Sequence, residues 1–162
     1  MSTLVTGIFH SRAAAEEGVD DLVDAGYARD DISLLMSETT RGREFGVTPA
    51  TKAPEGIATG ATVGGVLGAV AAGLVTAGVL VIPGVNLLAA GPIVATLAGL
   101  GAGAATGGIV GALAGLGIPE NEAHFYKEQI ERGGILLGVY THGDRVREAR
   151  RILDEAGAEK VR

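Results

Sequence analysis

Residues 4–9 (LVTGIF) form a short apolar run of β-prone type, after which the hydrophobic positions change period. Ala15, Val19, Leu22 and Val23 recur at helical spacing behind Ser11, a suitable N-cap, and Gly26 predicts the stop. Residues 32–36 then predict a second strand and complete a βαβ unit. Towards the other end, Ala123, Tyr126 and Ile130 share one helical stripe. Pro119 suits its first turn, Glu120 and Glu122 suit the positive end of its dipole, and Gly133 predicts its end. This helix feeds a strand that begins at Ile135.

The two ends resemble each other. Residues 4–26 (LVTGIFHSRAAAEEGVDDLVDAG) align without a gap, at an offset of 131, with residues 135–157 (ILLGVYTHGDRVREARRILDEAG). Gly7 meets Gly138, Phe9 meets Tyr140, Leu22 meets Leu153, and Ala25-Gly26 meets Ala156-Gly157. Two βαβ halves predict a ferredoxin-like α+β domain, a four-stranded sheet with two helices on one face.

Between the halves the pattern changes twice. Residues 38–55 are polar, with Gly42, Gly46, Pro49 and Pro54, and read as a linker. Residues 56–118 are apolar, with glycines at a four-residue period: Gly56, Gly60, Gly64 and Gly68, then Gly99, Gly103, Gly107, Gly111 and Gly115. Each series lies along one side of a helix. A helical glycine costs ~1 kcal/mol against alanine in water, so close backbone contact or an apolar solvent must compensate. Pro83, Gly84 and Asn86 mark a turn, and Gly91-Pro92 marks where a second helix begins. The expected insertion is a glycine-zipper α-helical hairpin: one helix from Gly56 to Ile82, a small-residue base near the α/β domain, and a bulky tip that includes Leu87, Leu88 and Ile93. The chain thus divides into a first half at 1–37, the linker, the hairpin, and a connecting helix with the second half at 119–162.

Charge sharpens this division. The net charge is -6 over 162 residues, yet residues 56–119 carry no Asp, Glu, Lys, Arg or His. Each predicted helix, about 25 residues, would reach ~37 Å, enough to cross a ~30 Å hydrocarbon layer. Absence of an aromatic belt or of a Lys/Arg cluster at the ends, with Glu55 and Glu120 close by, speaks against a simple spanning pair. The alternative is an oligomer in which several hairpins bury one another, since a lone monomer would expose too large an apolar patch. Residues 1–12 lack the basic start and long apolar run of a secretory signal, so the expected location is cytoplasmic, or the inner membrane with the α/β domain in the cytoplasm. The acidic balance argues against nucleic acid.

Candidate chemistry is sparse. With no cysteine, thiolate metal sites and disulfides are excluded. His10 and His142 follow antiparallel strands and fall at opposite ends of the expected sheet; His124 reads as a surface or packing residue. Residues 101–106 come near a dinucleotide fingerprint but follow no strand and open no βαβ unit. Glu16, Glu17, Asp20, Asp21 and Asp24 read as a solvated helix face, opposite in sign to Arg145, Arg147, Arg150 and Arg151. No catalytic set, metal site or cofactor site is expected.

The order of several motifs adds a resemblance. Gly7-Ile8-Phe9 with an alanine-rich helix, Ala25-Gly26-Tyr27, Asp30-Asp31-Ile32-Ser33, Ile82-Pro83-Gly84, Ala90-Gly91-Pro92, Gly117-Ile118-Pro119-Glu120 and Arg132-Gly133-Gly134 together resemble the bacterial general stress proteins, also described as heat-induced stress proteins. The resemblance implies a non-enzymatic stress role, cytoplasmic or membrane-associated, and supplies no catalytic residues. Two non-enzymatic readings stand. In one, hairpins self-associate in or on the inner membrane; in the other, a homo-oligomer shares an apolar hairpin core able to hold lipid or another hydrophobic ligand. An enzyme or sensor using the α/β sheet is the third.

Overall fold

The apolar runs at the two ends of the chain become strands with both faces buried. That is why they are hydrophobic at nearly every position rather than at alternate ones. The structure, a computed structural model, describes residues 2–37, 40, 80–82, 87–90, 92–93 and 102–162, with side chains described outside 80–82, 87–90 and 102–107. Its strands are β1 (Thr3–Phe9), β2 (Ile32–Ser37), β3 (Leu80–Ile82), β4 (Leu87–Ala90) and β5 (Ile135–Thr141). Its helices are α1 (Arg12–Asp24), α2 (Ala102–Gly115), α3 (Glu120–Glu131) and α4 (Arg145–Glu155).

The architecture is α+β, a three-stranded antiparallel sheet with four helices. β5 lies in the middle, pairing from Thr3↔Thr141 to Phe9↔Ile135 on one side and from Ile32↔Val139 to Met36↔Ile135 on the other. Two short strands extend the β2 edge in the order β1-β5-β2-β4-β3. This corrects the expected helix to Ile82 and the expected distal tip, because Leu80–Ile82 is strand and Leu87–Ala90 pairs with β2 from Leu34↔Ala90 to Ser37↔Leu87. Ile93, expected at the same tip, is 1% exposed in the domain core, and its N–H donates to Ser33 Oγ at 3.2 Å. An open β2 edge offers a row of backbone donors and acceptors, and a leucine-rich extended segment satisfies it.

One face of the sheet presents Val5, Phe9, Leu34, Leu137 and Val139 to α1 and α4, whose buried positions include Val19, Leu22, Ala149 and Leu153. The opposite face presents Ile8, Leu35 and Leu136 to α2 and α3, through Ile109, Ala112, Leu113, Tyr126 and Ile130. The expectation of two helices on one face thus holds for α1 and α4, while the second face is covered as well. At Gly7 the reason for glycine is close approach: a Cβ there would stand 2.8 Å from the Cβ of Ala158.

The repeat needs one residue of adjustment. The gapless alignment pairs Phe9 with Tyr140, yet Phe9 belongs to the first face, whereas Tyr140 lies opposite Leu4, which packs on the second. A shift of one residue in a strand reverses every side chain. The strands correspond at an offset of 132, Thr3–Phe9 to Ile135–Thr141. The helix C-caps, Ala25 and Ala156, correspond at 131. The second half is therefore one residue shorter between strand and helix end.

A further extended segment lies beyond α4. Ile8 and Glu159 exchange N–H···O bonds of 3.0 and 2.8 Å, and Thr6 and Arg162 exchange bonds of 3.2 and 2.9 Å. One residue separates Thr6 from Ile8 and two separate Glu159 from Arg162, so the outer segment carries one extra residue. Lys160 takes it up at φ 54°, a bulge that bends the segment around the sheet edge.

Helices α1 to α4 all end in one way. Gly26, Gly117, Gly133 and Gly157 have positive φ, and the residue after each donates its N–H to the carbonyl five residues back, at Leu22, Leu113, Gln129 and Leu153. This is the Schellman arrangement, in which a left-handed glycine closes the last turn. At the other termini, Ser11 Oγ accepts from Ala14 N at 3.2 Å, as expected, while Pro119 stands at the N-cap of α3, one position before its expected place.

Candidate association surface

The residues expected to carry association divide into two groups. Gly56, Gly60, Gly64, Gly68 and Gly99 of the zipper, with Pro83, Gly84, Asn86 and Gly91 of the turn, lie outside the described residues; Pro92 is half-buried beside Ile93. Gly103, Gly107, Gly111 and Gly115 all fall within α2. That helix is interrupted at Gly108, whose φ of 58° and ψ of -146° are non-helical. The four glycines are therefore not one straight groove: Gly103 and Gly107 precede the break and Gly111 and Gly115 follow it.

Beyond the break, α2 buries Ile109, Ala112 and Leu113 against the sheet. Gly115 is exposed and Gly111 half-buried, so the glycine stripe is offset from the buried one. The last turns of the apolar run thus bury Ile109, Ala112 and Leu113 in the domain's own core and leave Ala114 and Gly115 exposed. Among the described residues no helix is long and apolar enough to cross a membrane.

The charged and titratable candidates are dispersed. His10 and His142 stand past opposite ends of the antiparallel pair β1 and β5, as expected, and His124 is exposed on α3. His10 Nε2 lies 3.2 Å from Glu159 Oε2, beside the outer segment. Among the described residues there is no group of three His, Cys, Asp or Glu able to hold a metal ion. On α1, Glu16 pairs with Arg12 at 2.7 Å, while Glu17, Asp20, Asp21 and Asp24 are exposed. Most of the arginines of α4 serve their own helix: Arg147 meets Asp144 at 3.0 Å and Arg151 meets Glu155 at 3.1 Å.

Two tyrosines form the tightest polar nodes. Tyr27 Oη donates to the Arg145 carbonyl at 2.6 Å, and the Arg145 guanidinium stacks 4.0 Å from the Tyr27 ring. Arg145 also donates to the Ala25 carbonyl at 2.9 Å, so one residue of α4 closes the C-terminus of α1. On the second face, Tyr126 Oη donates to the Lys160 carbonyl at 2.6 Å, with Thr6 Oγ1 at 3.3 Å. Burial holds the Tyr126 hydroxyl above its usual pKa. The Thr6 contact and Arg162 oppose that shift, and Glu122 adds to it. Burial also raises Tyr27, and Glu148 beside its hydroxyl raises it further.

Sequence reasoning did not find these nodes. Tyr126 was legible as a core position only, and nothing in the local sequence shows that residue 126 meets residue 160. Arg150 and Arg162 are likewise far apart in sequence, but both line a cleft beside Gly117. The described residues thus hold an exposed small-residue end on α2 at Ala114 and Gly115, a strapped sheet edge and an arginine-lined cleft. No protein-family model, curated protein or solved structure matches the chain.

Proposed function

We propose that this chain is a non-enzymatic, stress-associated protein with a ferredoxin-like duplicated domain, and that it self-associates through its apolar glycine-rich insertion in or on the cytoplasmic membrane. The observation that carries this reading is the 64-residue run from Gly56 to Pro119 without a charge, set between flanks that are normally charged. Such a run requires cover, and lipid or sister copies supply it. The domain assignment is supported by the antiparallel strands and by the outer segment at 159–162, which takes the place of a fourth strand beside β1.

A second reading is favoured by Ile93, Ile109 and Leu113, which lie in the protein core rather than in a separate helical hairpin. In it the insertion belongs to the domain, and homo-oligomers share an apolar core able to hold lipid or another hydrophobic ligand. Detergent-free fractionation followed by light scattering separates the two. Recovery with membranes supports the first, and a defined oligomer in the supernatant supports the second. Replacing Gly64 and Gly107 by leucine weakens self-association about tenfold or more under either reading. An unchanged oligomer overturns association through the zipper.

A further inference from the structure

Where the last turn of α2 meets the outer edge of β1, a cleft of about 180 Å³ is lined by Thr3, Leu4, Leu116, Gly117 and Ile118 together with Arg150 and Arg162. Arg162 reaches Glu122 Oε2 at 3.3 Å and the Gly117 carbonyl at 3.4 Å, both through Nη1, which leaves the rest of its fork open. Arg150 is exposed and has no hydrogen-bond or ion-pair partner among the described residues, unlike Arg147 and Arg151 on the same helix. In a chain of net charge -6, two arginines line this one cleft, and only Arg162 of the two is paired with a carboxylate among the described residues. They do so beside Leu116–Ile118, at the end of the uncharged run. The sequence shows no Lys/Arg cluster there; the fold assembles one from residues 150 and 162.

A planar guanidinium fork matches phosphate oxygens, and adjacent apolar side chains suit the first methylenes of an acyl chain. We propose that this cleft seats the phosphate of an anionic phospholipid, held by Arg150 and Arg162 with its chains against Leu4 and Leu116. The proposal rests on the lipid reading above and names the lipid class it takes.

The test is flotation of the full chain with vesicles of phosphatidylcholine alone or mixed with phosphatidylglycerol. The expected result is about tenfold stronger partition onto the anionic vesicles, equivalent to ~1.4 kcal/mol, despite the protein's own negative charge. Arg150→Gln, at an exposed position, removes about threefold of it, and Arg150→Gln with Arg162→Gln removes the rest. Arg147→Gln with Arg151→Gln changes the net charge equally and leaves the preference intact. Circular dichroism checks that each variant keeps its helices. A preference that survives the double variant, or falls as far in the Arg147/Arg151 control, overturns the seat. So does saturable binding of inorganic phosphate that Arg150→Gln abolishes while flotation is unchanged, since the cleft is then a free-anion site. Equal flotation with both vesicle types sinks the seat alone, whereas flotation with neither removes the membrane reading and the seat together.

Discussion

On the first face of the sheet, α1 and α4 each follow a strand directly, show an apolar stripe against a charged surface, and lock together through Tyr27 and Arg145. On the second face, α3 is amphipathic in the same way, but its neighbour α2 is apolar all round and arrives at the end of a long uncharged run. The first face is therefore specified by local sequence, since each helix can bury only one side. The second is specified by partners: α2 offers apolar surface in every direction, and the bulk of Ile109 and Leu113 against the smallness of Gly111 and Gly115 decides which side meets the sheet. Patterning directs a helix when it alternates apolar with polar. When everything is apolar, size has to do so.

The largest test of that contrast compares one leucine from each face. Leu113 in α2 and Leu153 in α4 are both fully buried. If the end of α2 is a true half of the core, Leu113→Ala and Leu153→Ala each cost ~3 kcal/mol, read as a lower urea midpoint at fixed protein concentration. A loss at Leu113 far below that at Leu153 would mean that α2 is an attachment to a one-faced domain. Glycines sharpen the comparison at a smaller scale. A Cβ on Gly134 would stand 2.7 Å from the Gln129 carbonyl oxygen, backbone that a helix end cannot move, whereas on Gly7 it would meet the Cβ of Ala158 at 2.8 Å, on the edge segment. Gly134→Ala is expected to cost ~2 kcal/mol and Gly7→Ala less, because the edge segment gives way more readily than a helix terminus. The reverse order in thermal denaturation would place the rigid element at the edge.

How far the fold was legible follows the same division. The strands at both ends, α1 with its Ser11 cap, α3 and the glycine stops at Gly26 and Gly133 were readable because period and capping chemistry act over a few residues. Gapless alignment of the repeat hid a one-residue slip, visible only when Phe9 and Tyr140 are assigned to faces. Leu80–Ile82 and Leu87–Ala90 read from sequence as parts of a helical hairpin because, in an unbroken apolar run, periodicity distinguishes poorly between strand and helix. The break at Gly108 was invisible because Gly107 and Gly111 keep the four-residue period on either side of it, so the groove pattern reads on across the interruption. The Tyr126–Lys160 node and the Arg150–Arg162 cleft join residues whose proximity only the sheet topology creates.

Those nodes supply the finest test, because each face has one tyrosine whose hydroxyl donates to a backbone carbonyl at 2.6 Å. Tyr126 holds the bulged carbonyl of Lys160, the one described non-glycine residue at positive φ, and so fastens the edge segment to α3. Tyr126→Phe keeps the ring and leaves that carbonyl unpaired, at a cost of ~1 kcal/mol. Burial raises the pKa of both tyrosines above the usual 10.0, so the folded state favours the neutral phenol. Their contribution is therefore complete below pH 10 and is lost as pH rises from there through the raised folded value. The urea midpoint of the unaltered protein should fall above pH 10, and Tyr126→Phe should flatten that fall. An alkaline profile left unchanged by Tyr126→Phe would show that the second face opens before its phenol ionises, making it the weaker of the two.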